Sequence, residues 1–132
     1  MKKVSDFYKE QGIDFEFPIE IKDENGNVTY YEDSDGEWER HEYDSNGNRT
    51  YYEDYGCYWY KREYDADGNE TYFEGSDGGW CKSEYDSNGN RTYFEDSGGI
   101  WCKREYDADG KETYYENSAG VKRRRGKRRK EL

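Results

Sequence analysis

The sequence predicts an all-β fold, an antiparallel meander of about ten short strands built from five β-hairpin repeats. A 21-residue period runs through the chain, and each repeat opens at an aspartate: Asp23, Asp44, Asp65, Asp86 and Asp107. Two turn signals in each repeat separate short runs rich in Thr, Tyr, Phe and Trp, as expected of hairpin strands. Because no helical period occurs inside the repeats, we expect an elongated single sheet, twisted or curled.

The two turns of each repeat have different sequences. The first is Asn-Gly or Asp-Gly, as in Asn25-Gly26, which is typical of a two-residue type I′ loop. The second, Asp33 to Gly36 and its copies, fits a type I turn closed by a left-handed glycine, giving a three-residue loop with a bulge. Only Asp54 to Cys57 departs from this pattern, since its glycine comes one place early.

The odd repeat length decides which residues share a face. Side chains alternate along a strand, so two loops of one kind would turn successive repeats to opposite faces, whereas unequal loops keep equivalent residues together. We therefore predict a mixed face that carries Tyr, Glu, Trp and Lys/Arg ladders, with Arg40 opposite Glu53 and Lys82 opposite Glu95. Its candidate partner-binding residues are Tyr30, Tyr51, Tyr72, Tyr93, Glu32, Glu53, Glu74, Glu95, Trp38, Trp59, Trp80 and Trp101.

The opposite face is more apolar, and we call it the Tyr/Phe/Cys face. It carries Thr29, Tyr31 and Tyr43 with their copies, together with Tyr60, Phe73, Cys81, Phe94, Ile100 and Cys102. A single layer cannot cover this surface, so we expect the sheet to curl, or the face to pack on the N-terminal segment or on a second copy in a homodimer.

The Trp and Tyr ladders have two interpretations. Aromatic side chains stabilise cross-strand pairs, and tryptophans flanked by Lys or Arg can be covered by cation–π contacts. Alternatively, rigid aromatic rings in a periodic row form a binding surface, as they do in interface hot spots. The sequence leaves both readings open.

Three regions follow from the repeat boundaries. Residues 1–21 are expected to cap the array, with a short helix that Ser5 or Asp6 caps and Gly12 ends, then an edge strand interrupted by Pro18. Residues 22–121 form the hairpin array, and residues 122–132 are expected to be a disordered basic tail.

Charge separates these regions. The chain has a net charge of −11, yet residues 1–121 hold 13 basic against 31 acidic groups, which leaves −18. Such a field repels nucleic acid and membrane phosphate and attracts basic protein surfaces. The tail could bind nucleic acid, act as a nuclear address, fold onto the acidic sheet or simply aid solubility; its basic residues are Lys122, Arg123, Arg124, Arg125, Lys127, Arg128, Arg129 and Lys130.

Catalytic, metal and cofactor sites are not expected. The single histidine, His41, stands where other repeats carry Arg or Ser, which indicates a surface position, and each carboxylate belongs to a ladder of copies. The aspartate-rich turns lack calcium-loop spacing, and the three cysteines lack both disulfide pairing and zinc spacing. With no signal peptide or membrane span recognised, we expect a cytoplasmic protein.

The phrases EYDSNGN and EYDADGN resemble the YD repeats of the RHS family over residues 22 to about 120. That resemblance implies hairpin strands of a large β shell that encloses a toxin or displays a carbohydrate-facing surface. Five repeats are too few for such a shell, so we expect only the hairpin chemistry to be shared. The repeats are more weakly similar to choline- and glucan-binding hairpins and to MORN repeats.

Three functions remain as hypotheses. The first is a non-enzymatic acidic protein that binds the basic surface of a partner protein, like a phage-type inhibitor or nucleic-acid mimic. The second is a carbohydrate- or choline-binding module that uses the Trp/Tyr ladder. The third is a nucleic-acid-tethering protein that acts through the basic tail.

Overall fold

The computed structural model describes residues 3–125, in which one helix precedes eleven strands. No helix in this part of the chain is long and apolar enough to cross a membrane. The elements are α1 (Val4–Gln11), β1 (Ile19–Lys22), β2 (Val28–Glu32), β3 (Trp38–Tyr43), β4 (Arg49–Asp54), β5 (Trp59–Tyr64), β6 (Glu70–Gly75), β7 (Trp80–Tyr85), β8 (Arg91–Asp96), β9 (Trp101–Tyr106), β10 (Glu112–Asn117) and β11 (Lys122–Arg124).

The strands form an antiparallel meander whose order follows the sequence from β1 to β11. This confirms the predicted all-β fold class. The chain divides into two compact units between Arg62 and Glu63. In the first unit each strand from β1 to β4 pairs with the next, and in the second the same holds from β6 to β10.

Both turns of a repeat have one geometry, so the predicted type I′ loop is wrong. In the first turn the Gly26 N–H donates to the Asp23 carbonyl at 3.1 Å, and in the second Gly36 donates to Asp33 at 3.2 Å. Each glycine has φ of 85°, which a side chain would oppose. The Asp23 carboxylate explains the preference, because its Oδ1 accepts the backbone N–H groups of Asn25 and Asn27 at 2.9 and 3.0 Å.

The 21-residue repeat needs one extra residue to keep equivalent side chains on one face. The two turns are alike and do not provide it, but a bulge in one strand does. In the pairing of β3 with β4, Glu42 lies opposite Tyr51 but Tyr43 lies opposite Arg49, so Thr50 is an extra residue. The corresponding shift occurs at Thr29, Thr92 and Thr113. Beyond the bulge the register is the predicted one. Within each unit equivalent side chains therefore stay on one face, and Arg40 lies opposite Glu53 and Lys82 opposite Glu95 as predicted.

The turn from Asp54 to Tyr58 keeps this geometry although its glycine is misplaced. Cys57 takes the left-handed position with φ of 68°, and it is the only non-glycine residue with positive φ in residues 3–125. Its N–H donates to the Asp54 carbonyl at 3.1 Å, as the glycine of the other turns does. An exposed residue with a Cβ is therefore held in a conformation that costs about 1–2 kcal/mol.

We expect Cys57→Gly to raise the free energy of unfolding by about 0.5–1 kcal/mol, since the gain in the native turn exceeds the added freedom of the unfolded chain. Urea denaturation measures the change. Cys57→Ser keeps the Cβ and should leave stability unchanged within about 0.5 kcal/mol. Equal effects of the two substitutions would show that the thiol, and not the backbone conformation, matters.

The N-terminal segment differs in detail from its prediction. Helix α1 begins at Val4 with Lys3 in the N-cap position, so neither Ser5 nor Asp6 caps it, while its end at Gly12 is confirmed. Residues 13–18 are not in a strand, and β1 begins directly after Pro18. Ser5 does not cap the helix because its side chain bonds β2 instead.

Helix α1 lies on the mixed face and not on the Tyr/Phe/Cys face, so the alternative in which the N-terminal segment covers the Tyr/Phe/Cys face is wrong. The core cluster under the helix consists of Ile19, Tyr30 and Trp38, each less than one-tenth exposed. The side chains of Val4, Tyr8 and Phe15 pack against this core. Ile19 lies opposite Glu32, whereas the equivalent residue opposite Glu95 is Lys82. Because Ile19 is apolar, this part of the mixed face is apolar enough for the helix to cover it.

The first residues of the predicted disordered tail form β11. Lys122, Arg123 and Arg124 pair with Glu116, Tyr115 and Tyr114 of β10. The chain's last repeat thus binds the start of its own basic segment. Residues 126–132, which include Lys127, Arg128, Arg129 and Lys130, lie outside the described residues.

Candidate functional site

A carboxylate buried on the mixed face binds the first turn of α1. Glu32 is 1% exposed and accepts the Ser5 N–H at 3.1 Å, the Ser5 hydroxyl, and the Tyr30 hydroxyl at 2.8 Å. The Tyr30 hydroxyl oxygen accepts the Val4 N–H at 3.1 Å. Two helix N–H groups without partners inside the helix are thereby satisfied by side chains of β2.

These contacts set the ionisation of both groups. Burial would raise the pKa of Glu32, but the hydrogen bonds from Ser5 and Tyr30 and the charge of Lys3 outweigh it, so the pKa lies below its ordinary value. Burial raises the pKa of Tyr30 to about 12, and its bond to the Glu32 carboxylate acts in the same direction. Glu32 is accordingly an ionised carboxylate held by donors, and Tyr30 remains a donor.

The Tyr–Glu pair recurs in the other four repeats. The hydroxyl of Tyr51, Tyr72 and Tyr93 donates to the glutamate two residues later at 3.1 Å, and Tyr114 donates to Glu116 at 2.8 Å. All these tyrosines and glutamates are half-buried. Desolvation and the bonded glutamate raise the pKa of Tyr51, Tyr72 and Tyr93.

A tryptophan lies across from each glutamate of the first four pairs. Trp38 pairs with Glu32, Trp59 with Glu53, Trp80 with Glu74 and Trp101 with Glu95. The structure thus brings the twelve candidate partner-binding residues together as four Tyr–Glu–Trp sets.

The lysines of the mixed face contact tryptophan rings. The ammonium groups of Lys61, Lys82 and Lys103 lie 5.6, 5.3 and 5.5 Å from the ring centroids of the tryptophans two residues before them. Cation–π covering of the ladder, one of its two interpretations, is therefore present in three repeats. In the first repeat Trp38 stacks on Tyr30 instead, with centroids 6.4 Å apart.

Arginines cover aromatic rings on the Tyr/Phe/Cys face. The guanidinium of Arg62 lies 4.5 Å from the Tyr60 centroid, and that of Arg91 lies 4.7 Å from Phe94. Tyr115 lies against two guanidiniums, of Arg104 at 5.0 Å and Arg123 at 4.6 Å. Planar cations thus provide part of the cover that this face was expected to need.

His41 on this face is buried, which corrects its predicted surface position. It is 6% exposed, its Nδ1 lies 3.0 Å from Arg49 Nη1, and its Nε2 lies 2.8 Å from Glu39 Oε1. Arginine can only donate, so this geometry requires the tautomer with hydrogen on Nε2. Exchange with Arg or Ser in other repeats misled the prediction, because Ser83 at the same position is also buried.

The start of the C-terminal basic segment folds onto the acidic sheet, one of the alternatives predicted for it, and forms an arginine site whose individual contacts were not predicted. Arg124 lies 4.6 Å from the Tyr114 centroid, on the face opposite to Arg123. The Glu112 carboxylate lies 3.1 Å from Arg104 Nε and 3.7 Å from Arg123 Nη2. Arg125 donates from Nε and Nη2 to the Glu112 carbonyl at 3.1 and 2.6 Å. The signal available in the sequence was the opposite charge of the tail and the last repeat.

Residues 3–125 contain no group of three or more His, Cys, Asp or Glu side chains that could hold a metal ion. All three cysteines are free thiols, and Cys57 is exposed. Burial raises the pKa of the Cys81 thiol. The chemistry this arrangement offers is hydrogen bonding, ion pairing and aromatic contact.

No protein-family model matches the sequence, and no curated protein matches it. The fold is similar to part of three solved toxin-complex structures, each at 18% identity: TcdB2-TccC3-TEV with TM-score 0.55, TcdB2-TccC3-Cdc42 with 0.54, and the Photorhabdus luminescens Tc holotoxin pore with a TccC3 mutation with 0.53. The matches cover 76%, 75% and 76% of this chain and 5% of each toxin chain. At this identity the likeness shows a shared β-hairpin meander and nothing further.

Proposed function

We propose that this chain is a non-enzymatic interaction protein whose acidic, tyrosine-rich repeats bind an arginine-rich basic segment of a partner protein. The observation that carries the proposal is β11, a basic segment already bound to a repeat. Arg123 and Arg124 lie on opposite faces of β10 over Tyr115 and Tyr114, and Arg123 also approaches Glu112. We include in this proposal that the chain inhibits its partner and mimics nucleic acid in doing so.

The composition of the mixed face supports it. In each of repeats two to four a half-buried glutamate of the Tyr–Glu pair is accompanied by an exposed glutamate on the following strand, such as Glu63 or Glu84, against one lysine. With −18 over residues 1–121, this charge attracts cationic partners over a range set by ionic strength. Arginine is favoured over lysine because its flat guanidinium both stacks on tyrosine and pairs with a carboxylate.

The two other hypotheses receive less support. A choline-type ligand would need the open face of a tryptophan, and lysine ammonium groups already lie over the rings of Trp59, Trp80 and Trp101. A nucleic-acid-binding tail would need free cations, and of its basic residues within the described part of the chain Arg123, Arg124 and Arg125 each contact the last repeat. We also propose that the repeats are related to the YD repeats of the RHS family, which is consistent with the β-hairpin meander that this chain shares with the toxin-complex structures.

The test uses the full chain and a fluorescent peptide, KRRRGKRRK, which has the sequence of residues 122–130. Fluorescence anisotropy should show binding that weakens steeply as salt rises, and a peptide with lysine at every arginine position should bind several-fold more weakly. Binding that is indifferent to salt, or absent at low salt, would contradict the proposal.

Two variants of equal net charge locate the surface. The first neutralises four exposed glutamates of the mixed face to Gln, at Glu42, Glu63, Glu84 and Glu105. The second neutralises four exposed acids of the N-terminal segment to Gln or Asn, at Glu10, Asp14, Glu16 and Glu20. We expect about a tenfold loss of affinity for the first and at most about a threefold loss for the second. Equal losses would mean that net charge alone attracts the peptide.

A further inference from the structure

Helix α1 is capped by the sheet and not by its own sequence. Its N-cap residue Lys3 makes no side-chain cap bond. The free N–H groups of Val4 and Ser5 instead donate to Tyr30 Oη and Glu32 Oε1, and the Ser5 hydroxyl donates to Glu32 Oε2. A Tyr-x-Glu pair on the mixed face is thus a receptor for the start of a helix that carries a hydroxyl in its first turn.

The same Tyr-x-Glu pair recurs in three further repeats, and within residues 3–125 no second helix lies on it. Glu53, Glu74 and Glu95 each accept the hydroxyl of the tyrosine two residues before, which fixes the pair in the same arrangement as Tyr30 and Glu32. A tryptophan lies opposite each glutamate, as Trp38 does in the first repeat. In each of these pairs the tyrosine hydroxyl donates to Oε1 of the glutamate, so Oε2, which receives the Ser5 hydroxyl in the first repeat, is not the oxygen that the tyrosine occupies.

The neighbouring side chains distinguish these sites from the first. Beside Glu32 stands Ile19, whereas Arg40 stands beside Glu53 and Lys82 beside Glu95. A helix that docks at the later sites therefore meets one cation beside the glutamate, together with an exposed glutamate opposite the tyrosine, Glu42 at Tyr51 and Glu84 at Tyr93. An acid in its first turn suits the side with the cation, and the helix dipole also favours it. Displacing a lysine from a tryptophan ring costs about 0.5–1 kcal/mol at an exposed site.

We propose that the Tyr–Glu–Trp sets at Glu53, Glu74 and Glu95 bind the N-terminal turn of a partner helix that carries Ser or Thr at its second position and an acid beside it. The occupant is a helix start because only there do consecutive backbone N–H groups lack partners within their own element. Helix α1, with the sequence VSDFYKEQ, is the example already seated on the first set. This inference shares the glutamates Glu53, Glu74 and Glu95 with the proposed function, but it uses neither the basic segment nor the arginine sites.

The probe is a peptide with the sequence of residues 3–12, KVSDFYKEQG, blocked at both ends and electrically neutral, added to the full chain labelled with ¹⁵N at tryptophan. We expect the indole signals of Trp59, Trp80 and Trp101 to shift with dissociation constants on the order of 1 mM, since so short a helix is marginal in water. The Trp38 signal should not move. A peptide with Ala in place of its Ser should bind at least about fivefold more weakly.

Single-site variants make the assignment. Glu95→Gln should remove the shift of Trp101 alone, and Glu53→Gln should remove that of Trp59 alone. Shifts confined to Trp38 would mean that the peptide only exchanges with α1, and an absence of shifts at several millimolar peptide would mean that the later sets do not bind helices. Either outcome overturns the inference and leaves the proposed binding of basic segments untouched.

Discussion

Replacing Glu32 with Gln should lower the free energy of unfolding by about 2–3 kcal/mol. The carboxylate is buried and accepts three hydrogen bonds, from the Ser5 N–H, the Ser5 hydroxyl and the Tyr30 hydroxyl. The glutamine side chain has the same shape but replaces one acceptor oxygen with an NH₂ donor. At least one of the three buried donors then faces this NH₂ group and loses its acceptor. Hydrogen bonds to a charged group are also stronger than those to a neutral amide.

Glu53→Gln is the matched control. Glu53 stands at the same place in the next repeat, is only half-buried, and accepts the Tyr51 hydroxyl at 3.1 Å. We expect it to cost less than about 1 kcal/mol, because solvent can satisfy the groups that the substitution leaves. Urea denaturation gives both values, and hydrogen exchange at the Val4 and Ser5 amides shows whether the helix start has come free. Equal costs at the two positions would show that the contacts of Ser5 contribute little.

The difference between wild type and Glu32→Gln should depend on pH. Because the folded state lowers the pKa of Glu32, its contribution is fully present above the ordinary glutamate value of 4.5 and is lost as pH falls through the lowered pKa. The two proteins should therefore converge in stability in acid. Both proteins should also lose stability in acid. The aspartate that begins each repeat accepts the backbone N–H of the residue four positions later, which lowers its pKa, and its protonation in acid weakens the turn. These aspartates are Asp23, Asp44, Asp65, Asp86 and Asp107.

The sequence was sufficient for the repeat, the strands and the faces, because period, turn residues and alternation are all local signals. It was insufficient for the loops. The odd repeat length and the alternation of side chains require one extra residue in each repeat. They do not determine whether that residue lies in the Asn25-Gly26 turn or in the strand at Thr29. The Asp23 carboxylate stabilises the observed turn by accepting the backbone N–H groups of Asn25 and Asn27, a contact that depends on three-dimensional geometry and is not visible in the sequence.

The covered part of the mixed face left a signal in the sequence that was not used. Ile19 takes the position beside Glu32 that Lys82 takes beside Glu95. An isoleucine where the repeat has a cation marks a covered site, and it would have placed α1 on the mixed face. No comparable signal announced the burial of His41, since its contacts with Arg49 and Glu39 depend on side-chain placement.

Replacing Trp38 with Ala should have the largest effect on stability, a loss of about 3 kcal/mol. Trp38 is 9% exposed, stacks on Tyr30, and belongs to the core against which Val4 and Tyr8 pack. Its removal leaves a cavity under α1 that the short helix cannot fill, and the amides of the helix start should exchange faster.

Trp80→Ala at the same place in a later repeat is the control. Trp80 is only half-buried and carries the Lys82 ammonium 5.3 Å from its ring, so its loss should cost about 1 kcal/mol. Chemical denaturation of the two variants compares them directly. The difference measures what α1 adds to a site that the first four repeats carry, since ring, strand position and opposing glutamate are the same. If Trp80→Ala cost as much as Trp38→Ala, the helix would not be the source of the stability, and the first set would be no guide to what the others bind.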